Sequence, residues 1–440
     1  MLARSATCDV TPRGRPTRLA GYAQRTEPVS TILDGIEISA VLLESGGRRC
    51  LIFSFDLMIV GAELQQMIVA RLVKHGFKPG EIVLLASHTH FAPATDQACT
   101  RLGIPDQRFV SDVAAAAEGL VLQMLREPAS EITLELSQGR LEHSINRRRR
   151  WRFPTFGRTY GLRLSSVVMA PNPQGPTDER ATVLLLRRAD DAKVIGVIWH
   201  YTCHPTAVIP DNVISSDYPG AVRRALRERF GEIPCVFAQG FCGDIRPNMR
   251  RAAPGASFRD RLRRIIRTIM SGPSFPAPAA GEWTRWSGDL AAKVVAIAQS
   301  PSGKISAPAT LATGSASIPL GGFFAGSAPD KPLAVQIVRF GDMIELVALS
   351  AEATVEWQAI IDREIPARDG RMRLYAGYLG ALFGYLPTAQ QIPQGGYEVE
   401  GFQPLFGLSG RFDSETIMSC VMGGVREAFD ELERAAGNNR

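Results

Sequence analysis

The sequence predicts an α/β fold: a mixed β-sheet core with flanking helices. Two observations carry this expectation. Short apolar runs of strand length alternate with helix-periodic segments along the 440 residues, the pattern of α/β architecture. His, Asp and Glu also follow directly on four of these runs, where open α/β sheets place their ligands.

The elements follow in order. Residues 40–43 and 50–55 read as strands around a Gly46-Gly47 turn, and Leu64, Met67, Ile68 and Leu72 give 62–75 a helical period. Residues 82–86 (Ile-Val-Leu-Leu-Ala) are a strand and 109–126 a second helix. The run 194–199 is a strand, 218–230 a helix and 234–238 another strand. Residues 334–338 and 344–349 form a hairpin pair, followed by helices near 353–362 and over 422–436. The proline-rich stretch 273–280 is irregular and links two helices, the first of them the basic segment 257–270. The expected organisation is one domain over 1–440 with a lid or insert at 250–285.

Composition narrows the function classes. Hydrophobic residues at 45% and charged residues at 21% are those of a soluble globular protein. No stretch approaches 18 uninterrupted apolar residues, so no membrane span is expected. The net charge of +6 leans toward anionic partners without marking a nucleic-acid protein. The first residues carry no apolar signal-peptide region. Cys8, Cys50, Cys99, Cys203, Cys235, Cys242 and Cys420 are scattered and lack a CxxC pair, which suits free thiols in a reducing cytoplasm.

The chemistry gathers at the four strand ends. Ser87-His88-Thr89-His90 follows the strand at 82–86, and His200 to His204-Pro205-Thr206 follows 194–199. Gly243-Asp244-Ile245-Arg246-Pro247-Asn248 comes after 234–238, and Glu352-Ala353-Thr354 after 344–349. Each piece alone has a plain structural reading, a hydrogen-bonded strand-end His or an acid at a helix N-terminus. Together they offer imidazoles and a carboxylate, the usual ligand set of a catalytic zinc that keeps one position open.

These residues, with Asn146-Arg147, Ser215-Ser216-Asp217, Phe237-Ala238-Gln239 and Tyr385…Tyr397-Glu398, resemble the neutral (non-lysosomal) ceramidase family, in its motif order over nearly the whole chain. The resemblance implies a zinc hydrolase-like catalytic domain holding one Zn²⁺, with His88, His204, Glu352 and Tyr385 on the ligand positions. It puts His90, Arg147 and Tyr397 around the scissile amide. His90 would move the proton, and Arg147 and Tyr397 would hold the developing oxyanion. Asp217 and Asp244 are expected to accept from the ligand imidazoles, Asp244 as part of the catalytic set.

Three features depart from the family. Arg246 stands where the motif Gly-Asp-x-Ser-Pro-Asn has its Ser, and neither a secretory signal nor a C-terminal immunoglobulin-like domain is expected here. A guanidinium cannot act as a nucleophile, so attack falls to water. Arg246 either turns outward or pairs with Asp244, or it clamps a carboxylate or phosphate of the substrate. The expected partner is therefore a small, acidic N-acyl or ester molecule, with oligomeric state open. Ceramide amidohydrolysis and a catalytically degenerate binding protein are the alternatives. Two further readings compete locally. The basic run 147–152 could be a phosphate or nucleic-acid patch. The helix at 257–270 could lie on an anionic membrane, or simply present a solvated face.

Overall fold

The structure, a computed structural model, describes residues 1–153, 155–157, 161–163, 166–208, 212–250, 258–275, 277–305, 310–327 and 331–437. The segment 250–285 read as a lid or insert falls partly outside them.

A nine-stranded sheet organises the chain. From one edge its strands run Cys235–Gln239, Val194–Tyr201, Arg180–Arg188, Ser130–Arg140, Leu2–Asp9, Glu37–Ser45, Arg48–Phe55 and Ile82–Ala86, with Gly303–Ile305 added on Ser130–Arg140. The outermost pairs are parallel and the interior pairs antiparallel, so the sheet is mixed. A second sheet of four strands runs Leu311–Ile318, Leu333–Phe340, Ile344–Leu349, Met372–Ala376.

The two sheets stack. Val41, Ile52, Leu85, Leu134 and Ile198 from the first pack with Val338, Leu346 and Leu374 from the second. Helices close the outer faces. Leu64, Ile68 and Leu72 of Ala62–Val73 and the apolar stripe of Gln107–Arg126 cover one half of the large sheet. Asp217–Phe230 and Glu282–Ala298 cover the other half, and Ile417–Gly437 covers the small sheet. Strands covered on both faces lose their polar alternation. That is why Ile82–Ala86, Cys235–Gln239 and Ile344–Leu349 are buried at every residue.

The expected elements form close to where the periodicity places them. The Gly46-Gly47 turn joins Glu37–Ser45 to Arg48–Phe55, with φ of 57° and 74°. Both values lie in the left-handed region that tight hairpins require and glycine supplies. The helix read near 353–362 begins later, as Glu356–Glu364, because 352–353 pair as a short strand with Tyr385–Leu386. Ser144–Trp151, which contains the arginine run, is a strand between Ile245–Pro247 and Ser166–Asn172.

One segment ties the sheets together at the end that bears the site. Gly377 N–H donates to Gln239 O at 2.9 Å, Ala86 N–H to Tyr378 O at 3.1 Å, and Gly380 N–H to Leu84 O at 2.8 Å. With Leu379 N–H donating to Leu349 O at 3.2 Å, the ends of Cys235–Gln239, Ile82–Ala86, Ile344–Leu349 and Met372–Ala376 are drawn to one place. No helix among the described residues is long and apolar enough to cross a membrane.

Candidate metal centre

His88 follows Ile82–Ala86 in the left-handed region, at φ 65°. That is costly for a residue with a Cβ and is found mostly where a site imposes it. Its N–H donates to Leu57 O at 2.9 Å, and its Nδ1 meets Met58 O at 2.8 Å. His204, in the loop after Val194–Tyr201, has Nδ1 on Cys242 O at 3.0 Å. A carbonyl oxygen only accepts, so both Nδ1 atoms carry the hydrogen and a neutral ring keeps its lone pair on Nε2.

Those two Nε2 atoms face one another at 3.1 Å. Glu352 Oε2 stands 3.3 Å from the first and 3.6 Å from the second. All three residues are buried. Burial, then the neighbouring His88, holds His204 well below the usual imidazole range, in its neutral form. Acceptors thus converge on acceptors, and only a proton or a metal cation between them reconciles the set. His88, His90 and His204 together form a group able to hold a metal. The residues present fit one.

His90 differs from its neighbours. Its Nε2 lies 3.3 Å from His88 Nε2, but its buried Nδ1 has no hydrogen-bond partner. No carbonyl fixes its tautomer. Burial first, and then His88, Arg25, Arg246 and Arg147, hold it well below the usual range. Gly21, at φ 108°, lies against the ring, and a Cβ there would come within 2.5 Å of it. Only glycine allows that approach.

Arg147 and Tyr385 stand beside Glu352. Tyr385 is its register partner in a parallel bridge. Arg147 Nη2 donates to the Tyr385 hydroxyl at 3.0 Å, and Nε to Glu398 Oε1 at 2.8 Å. Arg148 takes the other Glu398 oxygen at 2.8 Å. Arg147 Nη1 makes no hydrogen bond among the described residues, which leaves a donor beside the Tyr385 and Tyr397 rings, each 5.5 Å from its Cζ. Burial pushes the Tyr385 and Tyr397 hydroxyls up and keeps them protonated, Arg147 opposing.

Two acids lie elsewhere than expected. Asp244 accepts from Val355 N–H at 2.8 Å and Asn146 Nδ2 at 2.9 Å. Asp217 accepts from Ala207 N–H, Tyr218 N–H and Trp283 Nε1. The His88 and His204 imidazoles donate to the backbone carbonyls of Met58 and Cys242 instead. The acids brace the loops that carry the site. Burial raises the Asp244 carboxyl to about 6 and that of Asp217 to about 7.

Arg246 does not pair with Asp244. It makes no hydrogen bond or ion pair among the described residues, and its guanidinium lies over the Phe275 ring at 4.8 Å. Its charge bears on His90, and burial draws its own pKa down, Tyr22 opposing.

Sequence reading alone passed over Tyr378. Also left-handed, at φ 60°, it stacks on His88 with centroids 4.0 Å apart. Its hydroxyl reaches Cys242 Sγ at 3.0 Å and Glu352 Oε2 at 3.5 Å. No local pattern marks a tyrosine for that role. Glu398 could have been found, since it adjoins Tyr397 in the motif.

The fold is similar to that of neutral ceramidase from Pseudomonas aeruginosa, with a TM-score of 0.72 at 17% identity, covering 98% of this chain and 74% of that one. A ceramidase complexed with C2 gives 0.69 at 16% identity, with 98% and 75% covered. No curated protein matches the sequence. The sequence model of the neutral/alkaline non-lysosomal ceramidase N-terminal region matches residues 5–257, which takes in His88, His90, Arg147, His204 and Asp244. Family and fold support a hydrolase, and the chain belongs to the neutral/alkaline non-lysosomal ceramidase family.

Proposed function

We propose that this chain is a zinc-dependent hydrolase that cleaves an amide or ester bond in a small acidic substrate with water as the nucleophile. One observation carries the reading: two imidazole lone pairs, fixed by carbonyls on their far nitrogens, meet each other and a buried carboxylate. His88, His204 and Glu352 would hold the ion, with Tyr385 beside them. When bound, zinc would lower the pKa of a water toward about 7 and polarise the substrate carbonyl.

The remaining steps belong to side chains. His90, with no partner on Nδ1 and Nε2 turned to the centre, can take a proton from water and return it to the leaving group. Arg147 Nη1 and the Tyr397 hydroxyl are donors for the oxygen that gains charge. Glu398 holds Arg147 in place. Arg246, whose guanidinium has no hydrogen bond or ion pair among the described residues and whose charge bears on His90, can grip an anionic group with two parallel hydrogen bonds.

Family membership favours ceramide as the alternative substrate. Metal analysis of protein purified without chelators, with a screen of matched N-acyl amides with and without a carboxylate, separates the readings. About one zinc per chain and preference for the acid are expected. Arg246→Ser should then raise KM for the acidic amide by about 2–3 kcal/mol of lost binding. A folded, metal-free protein would mean a binding module. Ready hydrolysis of ceramide would mean that Arg246 is no clamp.

A further inference from the structure

The helix Phe258–Ser271 is amphipathic the wrong way round for a surface helix. Its apolar positions 262, 265, 266 and 269 follow the i, i+3, i+4, i+7 spacing that normally turns inward. Here Leu262, Ile265, Ile266 and Ile269 are 45, 53, 47 and 65% exposed. Nothing among the described residues covers them. An uncovered apolar stripe of this kind marks a surface that something else covers.

The rest of the helix says what. The sequence supplies Arg259, Arg261, Arg263, Arg264 and Arg267 against the single acid Asp260. At 100° per residue Arg259 and Arg267 fall beside and behind the apolar stripe, and both are exposed. The patch also continues beyond the helix. Gly272 abuts Trp151, whose ring lies 5.1 Å from that of Phe153, itself 63% exposed. Three residues after Gly272, Phe275 underlies Arg246. The patch therefore leads toward Arg246, whose charge bears on His90.

We infer that this helix docks the protein on an anionic phospholipid bilayer, lying in the headgroup plane with Leu262, Ile265, Ile266 and Ile269 among the acyl chains. Apolar residues on one side and arginines on the other are what that interface selects. A second copy of the chain is the poorer occupant, because pairing the helix with itself sets arginine against arginine. Docking would turn the Phe275 and Arg246 side of the molecule toward the membrane, whatever the substrate.

The test needs no activity. Wild-type protein is sedimented with phosphatidylcholine vesicles with and without phosphatidylglycerol, alongside Ile265→Ser/Ile269→Ser and Arg267→Glu. Wild type should bind the anionic vesicles, less at high salt. The double serine variant, which leaves every charge in place, should bind roughly tenfold more weakly or worse. Arg267→Glu should weaken binding less. All three should melt together, since only exposed side chains change. Equal binding of wild type and the serine variant would reduce the effect to charge adsorption and overturn the proposal. So would a wild type that ignores vesicles, whether it stays monomeric or dimerises through this helix in size-exclusion chromatography.

Discussion

Two buried glutamates border the same strand, Ile344–Leu349, and meet opposite surroundings. Glu345, near its start, is ringed by cations: Arg339 Nη2 at 2.9 Å, Arg373 Nε at 3.0 Å and Arg371 Nη1 at 3.6 Å. Glu352, just past its end, faces the Nε2 atoms of His88 and His204. Both are almost fully excluded from water. The chain supplies the counter-charge at one end and withholds it at the other. A buried carboxylate among guanidiniums is complete, whereas one among imidazole lone pairs is complete only with a cation from outside.

Breaking the first cluster should have the largest effect. Glu345→Gln leaves the buried Arg339 and Arg373 with only their outer acids, Glu433 at 2.6 Å and Asp362 at 3.7 Å, and should cost about 3 kcal/mol of stability, read by chemical denaturation. Zinc binding should be untouched in whatever folds. Glu352→Gln should do the reverse. Metal-free stability should change little, while zinc affinity falls by about 100-fold or more. Saturating wild type at 100 times its Kd should add about 2.7 kcal/mol, an increment the Glu352→Gln protein lacks at the same zinc. His204→Ala should lose metal and activity together, and full zinc retention there would sink the assignment. Equal destabilisation by both glutamine variants would mean that the two glutamates are alike after all.

A finer distinction lies within the histidines. His88 and His204 have fixed tautomers and His90 does not. His90→Gln should therefore keep zinc and lower turnover by about 10²-fold. Zinc loss in that variant would move His90 into the ligand set with the other two.

The same contrast shows what the sequence could tell. Ile82–Ala86, Val194–Tyr201 and Ile344–Leu349 are apolar at nearly every residue, so their burial and the polar groups after them were legible. Ser144–Trp151 was so only in part. The resemblance marked Arg147, while the run also offered a competing basic patch, and Arg147 and Arg148 are buried against Glu398, some 250 residues away. Local pattern cannot reveal a partner at that separation. Asp217 and Asp244 failed for a related reason. Their residue type suited an imidazole N–H, but the backbone carbonyls of Met58 and Cys242, which no sequence advertises, were nearer. The inverted helix at 258–271 shows a third limit. Its amphipathic period was plain, but which face meets water depends on what lies beside it.

Asp217 extends the comparison to a carboxylate with neither arginine nor imidazole against it. It is fully buried among N–H donors from Ala207, Tyr218 and Trp283. Burial, with a smaller contribution from Asp34, outweighs those donors and raises its carboxyl to about 7, against about 3.9 in an unfolded chain. Between those values the folded state binds more protons than the unfolded one. The contribution to stability is thus fully present below about pH 4 and is lost as pH rises through about 7. Asp56 and Asp244, each raised to about 6 by burial, slope the same way, so the difference between wild type and Asp217→Asn is what isolates Asp217. Asn accepts the left-handed backbone of this position, φ 56°, better than most residues. Its amide nitrogen must face one of the N–H donors, at a pH-independent cost of about 1–3 kcal/mol. Denaturant titrations from pH 4 to 8 should show the variant less stable at pH 4. The gap to wild type should narrow as pH rises and reverse by about pH 7, since raising the carboxyl from about 3.9 to about 7 amounts to about 4 kcal/mol. A constant gap would mean that Asp217 is already ionised at pH 4, held by its three donors as firmly as Glu345 is held by its arginines.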